Sequence, residues 1–229
     1  MKKVIVFDMD DTLYDEYDFV KSGFNVVAEY LSSQYQLDKQ EMYNWMWEAV
    51  LENGRGAIFD NLLKKYDLHS KTLVRKCISL YRLHKPRIHL PKNSEEVLKE
   101  LSKKYSLYLV TDGNKIVQQN KVTALNLEKY MKKCYITYRY GRKHSKPSPY
   151  CFHLIEKKEK VDSSQIVYIG DNPTKDFVGI KSSGFRTIRI MTGQHKKIEM
   201  PVEYEAEIRI NCITELFEAL KKIWPEKEG

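Results

Sequence analysis

The chain has 229 residues, 42% of them hydrophobic and 31% charged, with a net charge of +8 at pH 7. That balance fits an ordinary globular protein with a sizeable core and excludes disordered, fibrous and membrane-spanning chains, since no apolar run approaches bilayer length. The positive charge is spread as lysine pairs on the expected polar faces and ends of helices, so a solvated surface that attracts small anions is expected rather than a nucleic-acid footprint.

The first predicted element is a strand over Lys3–Met9. Its opening "MKKVIVFDMD" begins like a secretory leader, but the apolar run stops at Asp8, so a cytoplasmic chain is expected. Asp8, Asp10 and Asp11 crowd the end of this strand, and like charges so close repel one another unless something positive sits opposite. From Glu16 to about His84 the pattern is helical only. Phe19, Gly23, Val26, Val27, Tyr30 and Leu31 share one face, as do Met42, Trp45, Met46, Ala49 and Val50, with Asp38 and Glu41 as a cap. Two shorter helices, Gly56–Tyr66 and Ser70–Leu83, follow the turn "ENGRG" and bring the count to four.

Alternation of strand and helix then begins. Helices are predicted over Ser94–Lys103, Ile116–Leu125, Pro149–Lys158, Thr174–Ser182 and Ile213–Ile223. The strands between them are Tyr105–Thr111, Cys134–Thr137, Gln165–Ile169, Phe185–Ile190 and Ala206–Ile210. Asn93 with Glu96 reads as a capping box, and Pro149 suits a first helical turn. Tyr135, Tyr138 and Tyr140 alternate as one face of a strand. The tail "PEKEG" is expected to fray. Cys77, Cys134, Cys151 and Cys212 form no CxxC pair, so neither structural zinc nor a disulfide framework is expected. The pattern is that of an α/β fold, a parallel sheet with a helical module inserted after its first strand.

The unusual polar groups all fall at or just past C-terminal strand ends, the edge where open α/β sheets bind ligands. Asp8, Asp10 and Thr12 follow the first strand; Thr111, Asp112 and Gly113 the second; Lys146 the third; Asp171, Asn172 and Asp176 the fourth. Asp8 and Asp171 can hold one hard cation through oxygen, and Mg²⁺ suits few carboxylates plus a substrate phosphate. Thr111, the amides near Gly113 and Lys146 supply donors for a phosphoryl group. Asp8 can then attack phosphorus, and Asp10, two residues on along an extended chain, can serve as general acid and base.

This constellation resembles the haloacid dehalogenase superfamily in its phosphatase branch. "DMDDTLYDE" is similar to its first motif, Thr111 to the second, Lys146 to the third and "GDNPTKD" to the fourth, over about Lys3 to Ile190. The resemblance implies a Rossmann-like core over 1–14 and 88–229, with a four-helix C1 cap over 15–87. It implies Asp8 as nucleophile and metal ligand, Asp10 as acid/base and backbone-carbonyl ligand, and Thr12 as a brace of that loop. It further implies phosphate binding by Thr111 and Lys146, Mg²⁺ binding by Asp171, and Asp176 positioning Lys146 or the metal's waters.

Other positions carry plainer expectations. Asp11 and Asp15 are loop or hinge carboxylates, Asp112 presents its backbone, and Asn172 either supports the metal or favours the turn. Arg55, between two glycines, could grip a second anionic group of the substrate or could be an exposed loop arginine. His144 near Lys146 and the neighbouring Lys143 read as surface residues. His69, His84, His89, His153 and His195 form no ligand set.

A Mg²⁺-dependent phosphomonoesterase for a small phosphorylated metabolite is therefore expected, probing no nucleic acid or membrane and needing no more than a monomer. Phosphosugar mutase-type transfer and a non-enzymatic binding protein that keeps the fold are the alternatives. Dehalogenation needs neither Asp10 nor a metal and is disfavoured.

Overall fold

The computed structural model describes residues 2–225, and of the "PEKEG" tail all but Pro225 lies outside the described residues. Two compact units emerge, Met1–Glu16 with His89–Gly229, and Tyr17–Ile88.

The first unit is built on six parallel strands: β1 (Val4–Phe7), β2 (Ser106–Thr111), β3 (Lys133–Ile136), β4 (Ile166–Gly170), β5 (Arg186–Ile190) and β6 (Ile208–Ile210). They are ordered β3-β2-β1-β4-β5-β6. β1, β2 and β4 are wholly buried, which explains their unbroken apolar runs, because helices cover a parallel sheet on both faces. The connecting helices are α5 (Lys92–Lys104), α6 (Lys115–Ala124), α7 (Tyr150–Glu159), α8 (Val178–Lys181) and α9 (Leu216–Ile223). In register, Phe7 pairs with Leu109 on one side and Ile169 on the other. The strand order reverses at β1, so the crevice beyond its carboxyl end lies at a topological switch point, and Asp8 is the first residue in it.

The second unit consists of α1 (Glu16–Tyr35, its first residue in the core unit), α2 (Lys39–Asn53), α3 (Ile58–Lys65) and α4 (Lys71–Leu83). Val20, Phe24, Met42, Met46, Leu62 and Cys77 lie at the heart of its core. Gly23 is required there, since a Cβ would run into the Tyr81 ring of α4. Asp38 caps α2 by accepting the Glu41 amide at 2.6 Å. The helical unit begins at Tyr17 rather than at 15, because Asp11 accepts the Glu16 amide at 2.9 Å and Lys121 pairs with the Glu16 carboxylate.

Several local expectations are corrected. The Asn93–Glu96 capping box is absent: α5 starts two residues earlier, with Pro91 at its cap and no side-chain cap bond. The helix expected over Thr174–Ser182 shortens to Val178–Lys181, because residues 172–176 form a loop closed by Asp176 and Asn172 side chains. Strand β3 ends at Ile136, and Tyr138 falls in a 3₁₀ turn, so Tyr135, Tyr138 and Tyr140 do not alternate on a strand. The four cysteines are free thiols. Among the described residues no helix is long and apolar enough to cross a membrane.

At the sheet edge opposite the crevice, Glu159 is buried at the end of α7. It accepts from Lys2, the Tyr108 hydroxyl, Ser106 and Lys132. Burial pushes its carboxyl up, but the bonds from Lys2, Tyr108 and Lys132 outweigh that and hold it at about 2. A carboxyl depressed below 4.5 stabilises the fold fully above that pH and loses its contribution as pH falls towards 2. Glu159→Gln is therefore expected to cost about 1–2 kcal/mol at pH 7, discounted because both lysines are half-exposed, and to leave turnover unchanged. Thermal unfolding from pH 7 to pH 3 checks this: the gap between the two proteins should narrow as the pH falls.

Candidate active site

The crevice collects side chains from four strand ends. The Asp8 amide donates to Ile169 O at 2.8 Å, which anchors the residue between β1 and β4. Lys146 arrives from the loop ahead of α7, and its ammonium lies 2.9 Å from Asp8 Oδ2, 2.9 Å from Asp176 Oδ1 and 2.9 Å from the Tyr168 hydroxyl. Asp176 also accepts the Asn172 amide at 2.9 Å on its second oxygen. Gly170 makes this possible, since a Cβ there would collide with the Asp176 carboxylate.

The charge count is one-sided. Asp8, Asp171 and Asp176 are all buried, and their oxygens lie within 4.8 Å of one another. Burial pushes the Asp8 carboxyl up to about 7 despite the pull of Lys146, and the neighbouring Asp176 and Asp171 charges add to the rise. Asp171 is likewise raised by burial, opposed by its hydrogen bond from His195. Burial disfavours the Lys146 charge, but Asp176 and Asp8 hold it well above the usual lysine range. Three buried carboxylates facing one buried ammonium form an oxygen donor set that fits a hard divalent cation.

At the end of β2, Thr111 Oγ1 accepts from Gln118 Nε2 at 2.7 Å, and Gly113 turns the chain with φ +133°. Its missing Cβ leaves room for the Gln118 side chain. Asn114 caps α6 through the Ile116 amide at 2.9 Å. Asp112 does more than present its backbone: its carboxylate accepts from Thr137 at 2.6 Å and from the Lys146 amide at 3.2 Å, and so latches the lysine's loop to the turn after β2.

Asp10 departs from the extended-chain expectation because β1 ends at Phe7. Its carboxylate accepts from the Tyr14 hydroxyl at 2.7 Å, Lys121 at 2.8 Å and Gln118 at 3.0 Å. Thr12 is buried and its hydroxyl has no hydrogen-bond partner, so the bracing expected of that side chain is not made. Asn172 does favour the turn: its oxygen accepts the Thr174 amide and hydroxyl at 3.0 and 2.7 Å, and its amide nitrogen lies 3.1 Å from His195 Nε2. His144 stacks on Tyr150 with ring centroids 3.8 Å apart. Arg55 is exposed in the turn after α2 and lies in the helical unit.

Sequence reasoning missed five contributors. His195 belongs to a donor set after all, with Nδ1 2.9 Å from Asp171 Oδ2 and Asp11 within the same cluster. Asp11 is buried and holds that loop too, accepting the Gln194 amide at 3.2 Å. Arg189, wholly buried on β5, fixes the loop from beneath by donating to the carbonyls of Asp171, His195 and Ile198. Gln118 and Lys121 are the others. No local signal marked them: Ile116 on α6 is 47% exposed in the structure while these two polar residues are buried, the reverse of what an ordinary amphipathic helix leads one to expect.

Residues 5–190 match the haloacid dehalogenase-like hydrolase family. The chain belongs to that family. The family match and the parallel core agree with the resemblance carried by the four motifs. Glyceraldehyde 3-phosphate phosphatase of Methanocaldococcus jannaschii is 30% identical over 97% of this chain and 99% of its own. The enzyme of the same name from Pyrococcus furiosus is 26% identical over 96% and 93%. Among solved structures, the HAD-hydrolase YfnB from Bacillus subtilis superposes with a TM-score of 0.66 at 19% identity, covering 96% of this chain and 98% of that one. This haloacid dehalogenase-like hydrolase is a phosphatase, a phosphoric monoester hydrolase.

Proposed function

We propose that the protein hydrolyses the phosphate ester of a small metabolite, with glyceraldehyde 3-phosphate the first candidate, through a phosphoryl group carried transiently on Asp8. The observation that carries this reading is the Lys146 ammonium, buried 2.9 Å from both Asp8 and Asp176 in the cluster that contains Asp171. Such a cluster suits a phosphoryl group and a hard cation held side by side. The choice of substrate is supported by the name that the relatives from M. jannaschii and P. furiosus bear.

Asp8 and Asp171, with the backbone carbonyl of Asp10, are the residues that would hold Mg²⁺, which supplies charge neutralisation at the phosphoryl oxygens when bound. The Asp8 carboxylate attacks phosphorus while Lys146, fixed by Asp176 and Tyr168, offsets the growing charge. Thr111 accepts from Gln118, which leaves its own hydroxyl proton for a phosphoryl oxygen, and the amides around Gly113 add further donors. Asp10 protonates the departing oxygen and then deprotonates the water that releases phosphate.

Phosphate release from glyceraldehyde 3-phosphate and from a panel of sugar phosphates, nucleotides and phosphoglycolate, with Mg²⁺ or with a chelator, tests the reading. Mg²⁺-dependent release with the highest kcat/KM on the triose phosphate is expected. Release that persists in chelator, or an isomerised phosphorylated product, contradicts it.

A further inference from the structure

The surroundings of Asp10 on α6 carry an inference that rests on Asp10 being the proton donor of the proposed reaction. We propose that Lys121, Gln118 and Tyr14 are positioning residues for Asp10, and that they leave its Oδ2 as the one atom able to carry the mobile proton. The two oxygens are not equivalent. Oδ1 accepts from the Tyr14 hydroxyl at 2.7 Å and the Lys121 ammonium at 2.8 Å, which occupies both of its lone pairs. Oδ2 accepts from Gln118 Nε2 at 3.0 Å and from no other group among the described residues, so one lone pair stays open.

Each positioning group is itself fixed. Gln118 Nε2 is shared with Thr111 Oγ1 at 2.7 Å, which ties the acid loop to the end of β2. The Lys121 side chain is 3% exposed and also pairs with Glu16 at 3.1 Å. A buried ammonium is costly unless paired, so a packing helix would normally place an apolar residue there. Tyr14 is buried and spans the four-residue turn back to Asp10. The donors come from residues 4, 108 and 111 positions away in sequence, and they converge on one carboxylate.

The proton inventory closes on Oδ2. As the bond from Asp8 to phosphorus forms and the ester P–O bond breaks, the Oδ2 proton passes to the departing oxygen. Oδ2 then takes a proton from the water whose oxygen bonds to phosphorus as the Asp8–phosphorus bond breaks; inorganic phosphate leaves, and Asp8 and Asp10 return to their starting states.

The test compares kcat/KM on phenyl phosphate, a poor leaving group, with that on 4-nitrophenyl phosphate, which departs without needing a proton. Lys121→Met is expected to lose about 10- to 100-fold on the first and no more than about threefold on the second. Asp10→Asn should split the two esters in the same direction and further. Tyr14→Phe removes one donor and keeps the ring's packing; it should give a smaller split and decides the matter if Lys121→Met does not fold. Equal losses on both esters in the Lys121 or Tyr14 variant, with Asp10→Asn still splitting them, would overturn the positioning role and leave a structural ion pair. No split in Asp10→Asn would overturn the assignment of Asp10 as the acid, and this inference with it.

Discussion

Asp8→Asn is expected to reduce phosphate release about 10⁴-fold or more, because an amide cannot attack phosphorus and no neighbouring group can take over its place between β1 and β4. The same substitution should make the metal-free protein more stable. Burial beside Asp171 and Asp176 already pushes the Asp8 carboxyl up to about 7, so its surroundings favour a neutral group even with Lys146 at 2.9 Å. Removing that charge should stabilise the chelator-treated protein at pH 8 by on the order of 1–3 kcal/mol. Activity and thermal unfolding measured on one preparation check both halves. A variant that is inactive and also less stable in chelator would mean that the Asp8–Lys146 pair contributes more than the like-charge repulsion costs.

Lys146→Met should be the second most damaging substitution, with a loss of about 10²–10⁴-fold in kcat/KM. Its effect on stability should have the opposite sign from that of Asp8→Asn. Without the ammonium, Asp8 and Asp176 stay buried with no cation at 2.9 Å, and breaking a buried pair from one side costs about 3–5 kcal/mol. The double variant Lys146→Met with Asp8→Asn should recover part of that loss, because the two residues share one interaction. Purely additive stabilities would show that they do not act on each other. Tyr168, whose hydroxyl is 2.9 Å from Lys146, would then be the partner to examine by the same cycle.

Much of this arrangement could be read before any coordinates. β1, β2 and β4 are buried on both faces, so their sequences are continuous apolar runs with sharp polar ends, and those ends are where Asp8, Thr111 and Asp171 sit. Lys146 and Asp176 lie in the connections that follow β3 and β4, and the Lys146 ammonium meets both Asp8 and Asp176. Features governed by pairing across the sequence were harder to see. Gln118 and Lys121 look like polar positions on an ordinary helix until Asp10, more than a hundred residues away, is seen to occupy their lone-pair partners. His195 lies in a segment without strand or helix periodicity, held in place by Arg189 from the strand beneath, and nothing local marks either residue. The short α8 failed for a related reason. The Asn172 and Asp176 side chains compete for the backbone amides of residues 172–174, which an earlier helical start would have used.

The central claim is that Asp8 carries phosphorus during turnover. Quenching the enzyme in acid while it turns over substrate with Mg²⁺, then digesting it and weighing the peptide that contains Asp8, tests this most directly. A phosphoryl mass increment on that peptide, located at Asp8 by fragmentation and absent from the Asp8→Asn protein, is the predicted result. Steady phosphate release with no increment on Asp8 at any quench time, or with the increment on another residue, would contradict the account.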